Sequence, residues 1–264
     1  MTSGKLFSGT PVLEVRGIGV RYGGVQAVND AHLEVSEGEI VALIGPNGAG
    51  KTSLFNAIAG VVKPSEGSVA LDGRPLDGLM PHQRARRGLG RTFQAGRLFG
   101  RMTLRDNLEV AQYLRGRSGV LSALTGSPGA RIDRTLARER ADEVIAAVAL
   151  ERFAEMPCRA LPYGIQRIGE IARALCIEPR ILLLDEPSAG LDSSESEDLN
   201  EMILRIRDLL ETPVLLIEHD MNVVMGISDY VYVMDFGWML AQGTPDEVRA
   251  DERVIAAYLG DEVA

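Results

Sequence analysis

Glu39-Ile40-Val41-Ala42-Leu43-Ile44 runs directly into Gly45-Pro46-Asn47-Gly48-Ala49-Gly50-Lys51-Thr52, a strand-sized apolar stretch followed by three spaced glycines and a Lys-Thr pair. This is the G-x-x-x-x-G-K-[ST] spacing of a phosphate-binding loop set between a buried strand and a helix. The glycines let successive backbone N–H groups face a polyphosphate where a Cβ would obstruct, and the following helix adds the positive end of its dipole. Lys51 would then reach the β and γ phosphates, and the Thr52 hydroxyl would reach Mg2+. A nucleoside triphosphate is the expected ligand, held by Gly45, Pro46, Asn47, Gly48, Ala49, Gly50, Lys51, Thr52 and Ser53. The plain alternative, a glycine-rich turn that binds nothing, leaves the Lys-Thr pair without a purpose.

Composition narrows the class. The chain has 264 residues with 45% apolar content, enough to bury a full core. Its longest apolar runs, near Ile181 to Leu184 and Val214 to Ile217, are strand-sized and fall short of the roughly 18 to 20 residues that cross a bilayer. The first eleven residues lack the apolar stretch of a secretory signal and read as a short mobile tail, with the cytoplasm as address. Cys158 and Cys176 lack metal-ligand spacing and read as small buried residues, with no disulfide expected. A net charge of −9 argues against a nucleic-acid partner. Arginines nonetheless crowd between Arg84 and Arg140, as a solvated face or as a docking surface near a membrane.

Along the chain, Leu13 and Val15, then Ala31, Leu33 and Val35 set against Asp30, His32 and Glu34, alternate as antiparallel strands do. A helix carrying Leu54, Phe55 and Ile58 follows the phosphate loop and stops at Pro64-Ser65-Glu66-Gly67, before short strands at Val69 to Leu71 and Gly90 to Gln94. From about residue 95 to 178 strand signals vanish, and helices are expected over Leu104 to Leu114 and Arg134 to Leu150, joined by punctuated connections that include Thr125 to Gly129. Strand and helix alternate again from Ile181 to Leu184, through a helix over Ser194 to Leu210 with Ser194 and Glu197 at capping-box spacing, to Val214 to Ile217. The expected fold class is α/β: a P-loop NTPase core with a small antiparallel β layer over 12–95 and 179–264, and an inserted helical subdomain over 96–178, all one domain.

In an open parallel sheet the ligand crevice lies at the carboxyl ends of the strands. Asp185 follows four apolar residues, where a phosphate-loop enzyme needs a carboxylate for Mg2+. Glu186, expected to be buried beside it, would act as catalytic base or position water for in-line attack on the γ phosphorus. His219, after the Val214 strand, would hydrogen-bond the γ-phosphate; alone it would read as a polar strand-end residue.

Together these motifs resemble the ATP-binding subunit of an ATP-binding cassette (ABC) transporter, from about Val12 onward. The resemblance implies that Tyr22, in Arg21-Tyr22-Gly23-Gly24, stacks on adenine, and that Gln94, in Thr92-Phe93-Gln94, contacts Mg2+ and the attacking water and senses the membrane partner. Ser188-Ala189-Gly190-Leu191-Asp192 is similar to the loop that crosses the dimer interface, and Ile217-Glu218-His219-Asp220 to the histidine switch. ATP and Mg2+ are the implied cofactors, with Glu186, His219 and Gln94 catalytic and Thr52, Gln94 and Asp185 at the metal. Gly90-Arg91-Thr92-Phe93-Gln94, Leu98-Phe99 with Met102-Thr103, Gly243-Thr244-Pro245 and Ala257-Tyr258-Leu259-Gly260 are similar to ATPases of branched-chain amino-acid importers. Transmembrane permease subunits, docked near Phe93 and Phe99, and a peripheral place on the cytoplasmic face of the inner membrane follow from that resemblance. A soluble ABC-type ATPase outside transport, or a transporter of another substrate, is the alternative.

One stretch departs from the family pattern. Where the family carries Leu-Ser-Gly-Gly-Gln, which binds the γ-phosphate held by the opposite subunit, this chain has Leu161-Pro162-Tyr163-Gly164-Ile165-Gln166. Pro162 offers neither hydroxyl nor N–H, and Tyr163 puts a side chain where close backbone approach needs none. Only Gly164 keeps its implied role, so a second, different ATPase subunit with an intact signature is the expected dimer partner.

Overall fold

The computed structural model describes residues 11–92, 98–112 and 128–261. β1 (Pro11–Tyr22) and β2 (Val25–Ser36) form an antiparallel hairpin, which β4 (Glu66–Leu71) and β5 (Arg74–Pro75) extend into a sheet of order β2-β1-β4-β5. Leu13, Val15, Ala31, Leu33 and Val35 face inward and are buried, as their two-residue period requires.

The second sheet holds β3 (Ile40–Ile44), β6 (Leu89–Arg91), β7 (Ile181–Asp185), β8 (Val214–Ile217), β9 (Tyr230–Asp235) and β10 (Trp238–Gly243) in the order β10-β9-β3-β8-β7-β6. Every neighbouring pair is parallel except β10 with β9. Strands covered on both faces read as continuous apolar runs, and β3, β7 and β8 are buried at each residue. Their alternation divides two cores. Val41, Leu43, Leu183, Leu215 and Ile217 pack with Leu54, Phe55 and the antiparallel sheet. Ala42, Ile44, Leu182, Leu184 and Leu216 pack with helical residues such as Leu104, Val144, Ile168 and Ile203.

The helices on the first face begin with α1 (Lys51–Ile58), while α2 (Pro81–Arg86) precedes β6. Between β6 and β7 lie α3 (Leu104–Ala111), α4 (Pro128–Ala147) and α5 (Tyr163–Leu175). Then come α6 (Ser193–Leu210), α7 (Met221–Ile227), α8 (Pro245–Ala250) and α9 (Glu252–Asp261). The second expected helix begins six residues earlier than Arg134, at Pro128, because a proline in the first turn gives up no hydrogen bond and its φ already suits the helix. The tail before Pro11, Phe93, Gln94 and most of the Thr125 to Gly129 connection lie outside the described residues.

α6 also starts differently. Its cap is Asp192, whose side chain accepts from the Glu195 N–H, while Glu195 accepts from the Asp192 N–H. Asp192-x-x-Glu195 satisfies the same box as Ser194-x-x-Glu197, and the extended backbone at Asp192 (φ −79°, ψ 176°) decides between them. Leu199, Met202, Ile203 and Ile206 are buried, but Leu209 is 62% exposed. Cys158 and Cys176 are buried free thiols, and burial pushes them up to about 11 and about 12. No described helix is long and apolar enough to cross a membrane.

Truncation on the two sides of α6 should separate. Ile203→Ala is expected to lower unfolding stability by about 2 to 5 kcal/mol, and Leu209→Ala by less than about 0.5 kcal/mol. Urea unfolding measures both.

Candidate functional site

Parallel pairing places three loops at one edge. Leu43 of β3 pairs with Ile217 of β8, and Ile217 pairs with Asp185 of β7. The loops that leave these strands carry Gly45 to Lys51, Glu186 and His219 side by side, at the carboxyl ends where an open α/β sheet binds its ligands.

The phosphate loop is packed too tightly for a side chain at two of its glycines. A Cβ on Gly45 (φ +147°) would lie 2.0 Å from the Met234 carbonyl oxygen, and one on Gly50 (φ +101°) 2.4 Å from that of Ala27. Gly50 caps α1 with no side-chain acceptor and no acid in the first turn, so the helix start is left to an external anion. Lys51 Nζ donates to the Gly45 and Pro46 carbonyl oxygens at 2.5 and 2.8 Å. These bonds hold the ammonium across the mouth of the loop. Thr52 is exposed and Ser53 half-buried at the same helix start.

Asp185 is the last residue of β7, its side chain 1% exposed. Oδ2 accepts from Arg91 Nη2 at 3.2 Å, while Oδ1 is buried with no hydrogen-bond partner among the described residues. Burial pushes this carboxyl above its usual range, and Arg91 opposes that rise. An orphaned buried carboxylate oxygen beside a threonine-bearing phosphate loop fits a divalent cation with oxygen ligands.

Glu186 is half-buried, not buried as expected. Its left-handed backbone (φ +47°) turns the chain out of the strand line, and its N–H donates to the Ile217 carbonyl. Besides Asp185, Glu218 is a buried carboxylate of this cluster, 0% exposed. It accepts from the Ser188 N–H at 2.8 Å and the His219 N–H at 3.1 Å, tying the β7 loop to the β8 loop. His219 itself is open, its ring 60% exposed and Nδ1 3.9 Å from Glu218 Oε2. Asp220 caps α7 by accepting from the Asn222 N–H. Tyr22 stands exposed at the hairpin tip, paired with Val25, and two residues further along β2 the Ala27 carbonyl lies against Gly50 of the phosphate loop.

Residues 161–166 form the start of α5. Pro162 is its cap residue, and the Gly164 N–H donates to Glu195 Oε1 at 3.2 Å. Tyr163 is 48% exposed, and its hydroxyl donates to the Ala189 carbonyl at 3.3 Å. The Arg167 guanidinium stands 5.6 Å from its ring centroid. The sequence names Glu218 and Arg91 only within the Ile217-Glu218-His219-Asp220 and Gly90-Arg91-Thr92-Phe93-Gln94 motifs, without a role of their own, and gives no sign of Glu195 as a partner of Gly164.

Beside this cluster lies a groove of about 720 Å3 lined by Val61, Leu89, Phe99, Val110, Ala111 and Ala174, with Arg91, Glu170 and Arg173 among its polar residues. It runs between the β6 edge and the helical segment.

Family comparison agrees with the geometry. The ABC transporter model matches residues 28–189, and the branched-chain amino acid ATP-binding cassette transporter model matches residues 239–264. The chain is 47% identical over 251 residues to the high-affinity branched-chain amino acid transport ATP-binding protein LivG of Salmonella typhimurium, covering 95% of this chain and 98% of that one. It superposes on the ADP conformation of MJ1267, an ATP-binding cassette of an ABC transporter, with TM-score 0.83 and 27% identity over 95% of this chain and 99% of that one. The dimeric post-hydrolysis state of the ATP-binding cassette MJ0796, bound to ADP and Pi, matches with TM-score 0.71 and 26% identity over 88% and 98%.

Two glycine substitutions should part company in thermal melts. Gly45→Ala is expected to lower Tm sharply, since its Cβ meets a backbone oxygen. Gly48→Ala (φ +79°) meets no heavy atom within 4 Å and should cost about 1 kcal/mol of backbone strain.

Proposed function

From a chain that belongs to the ABC transporter family and is an ATPase of that family, we propose the subunit that powers uptake of branched-chain amino acids through separate transmembrane subunits. The observation that carries this reading is the 47% identity with LivG over nearly the full length of both chains. The protein acts peripherally, on the cytoplasmic face of the membrane.

Each site residue has its part in this reading. Tyr22 lies under the adenine, and Gly45, Pro46, Asn47, Gly48, Ala49, Gly50 and Ser53 surround the phosphates with backbone and hydroxyl donors. Lys51 neutralises the β and γ oxygens. Thr52, Asp185 and Gln94 would hold Mg2+, a role supported for Asp185 by its Oδ1, which has no hydrogen-bond partner among the described residues. Bound Mg2+ would offset charge on the terminal phosphates. Glu186 takes the proton of the attacking water, and His219 fixes the γ-phosphate so that attack is in line. Glu218 holds the loops of both at a set spacing.

Two subunits close face to face, as in the dimeric cassette bound to ADP and Pi. The Gly164 N–H would face the γ-phosphate held by the opposite subunit. Pro162 brings no N–H, and Gly164 already gives its own to Glu195, which supports a weakened contribution from this half. The partner ATPase is therefore a different chain with a full signature, and the site containing Glu186 is the one that turns over. The apolar groove beside Phe99 is the seat for a cytoplasmic helix of the transmembrane partner.

Glu186→Gln should reduce phosphate release by at least about a hundredfold and leave ATP bound in a stable dimer, alone or with the partner ATPase. Light scattering on ATP addition reads the mass. An unchanged mass in both cases, or unchanged phosphate release, would overturn the mechanism.

A further inference from the structure

Arg91 ends β6 and touches three parts of the molecule at once. Its Nη2 donates to Asp185 Oδ2 at 3.2 Å, with the two side chains only 12% and 1% exposed. Its guanidinium carbon lies 5.0 Å from the ring centroid of Phe55, on α1 one turn after Lys51. It also lines the apolar groove, next to Leu89, Phe99, Ala111, Glu170 and Arg173.

Each contact constrains the others. A buried carboxylate needs a compensating charge, and removing one member of such a pair leaves the other uncompensated in a poor solvent for ions. Arginine suits this place because its planar group can stack on an aromatic ring while its edge donates to a carboxylate, which a lysine cannot do. A divalent cation beside Asp185 introduces a second positive charge against the same carboxylate, so guanidinium and metal oppose each other there. Whatever moves Arg91 therefore alters how well Asp185 serves the metal.

We propose that Arg91 is a positioning residue linking the groove to the metal-side carboxylate. With the groove empty it clamps Asp185 through Oδ2; a partner helix seated there, offering its terminal carbonyls, draws Arg91 off and leaves the full carboxylate charge to Mg2+ at Oδ1. This rests on the ATPase reading above and adds to it a route by which docking is felt at the nucleotide. A lone ion pair inside a stable sheet would have no such dependence.

The test follows binding of a fluorescent ADP analogue as Mg2+ is titrated, in the isolated chain and in the complex purified with its transmembrane subunits. In the isolated chain Arg91→Met should lower the Mg2+ midpoint by roughly fivefold or more, the scale of ordinary site-to-site coupling. Thermal melts of that variant should fall most in EDTA with nucleotide and recover as Mg2+ is added. In the complex the wild-type midpoint should drop toward the Arg91→Met value, while the variant's should stay where it was. Should Arg91→Met fail to fold, Arg91→Lys keeps the charge without the fork and should give an intermediate midpoint. An unchanged midpoint with melts lowered equally at every Mg2+ concentration makes the pair purely structural and overturns the proposal. A wild-type midpoint that is the same inside and outside the complex overturns it as well. Absence of any analogue binding by the wild type would defeat the ATPase reading itself, and the proposal with it.

Discussion

Hydrogen bonding of β8 between β3 and β7 is the constraint on which everything else depends. It sets Leu43, Ile217 and Asp185 at one level, so three chain segments far apart in sequence leave the sheet together. The register cannot drift, because both faces of these strands are covered. Slipping one strand by a residue would move each side chain from the core shared with α1 and the antiparallel sheet into the core shared with the long helices. The positions of Lys51, Glu186 and His219 thus inherit their accuracy from aliphatic packing, with no polar contact needed among the three.

Above that edge the loops are joined by carboxylates. Glu218 receives N–H groups from Ser188 and His219, and Glu195 receives those of Gly164 and Asp192. Bonds of this kind to ionised groups are shorter and stronger than neutral ones, and those from Ser188 and Gly164 cross from one segment of the chain to another. Glu186 stands between them in a left-handed conformation just before Pro187, an arrangement that stores about 1 to 3 kcal/mol. Its N–H bond to Ile217 and the neighbouring Ser188–Glu218 bond keep that strained turn in place.

Much of this was legible in the residues. Apolar runs ending abruptly in Gly45, Asp185 or Glu218 announce buried parallel strands and mark where their polar loops begin, and the phosphate loop is local in sequence. The failures have physical causes. Asp192 and Ser194 both fit a helix start followed by Glu at the third position, and only the backbone entering the helix chooses. Beyond Asp220 no elements were assigned, because Tyr230–Asp235 mixes aromatic, aliphatic and acidic residues without a clean period, although its buried tyrosines pack edge to face. The Arg91–Asp185 contact spans 94 residues. Nothing local to either residue announces it, since the pairing exists only once β6 and β7 lie side by side.

The two native thiols carry a practical consequence. Both lie inside the helical core with their proton loss pushed far above neutral pH, and it is the thiolate that reacts with maleimides or spin-label reagents. A single cysteine introduced on the surface, at the hairpin tip or along the groove, would therefore carry a probe alone. Any distance change on nucleotide binding becomes measurable without first stripping Cys158 and Cys176 from the interior, where each replacement would disturb the packing being observed.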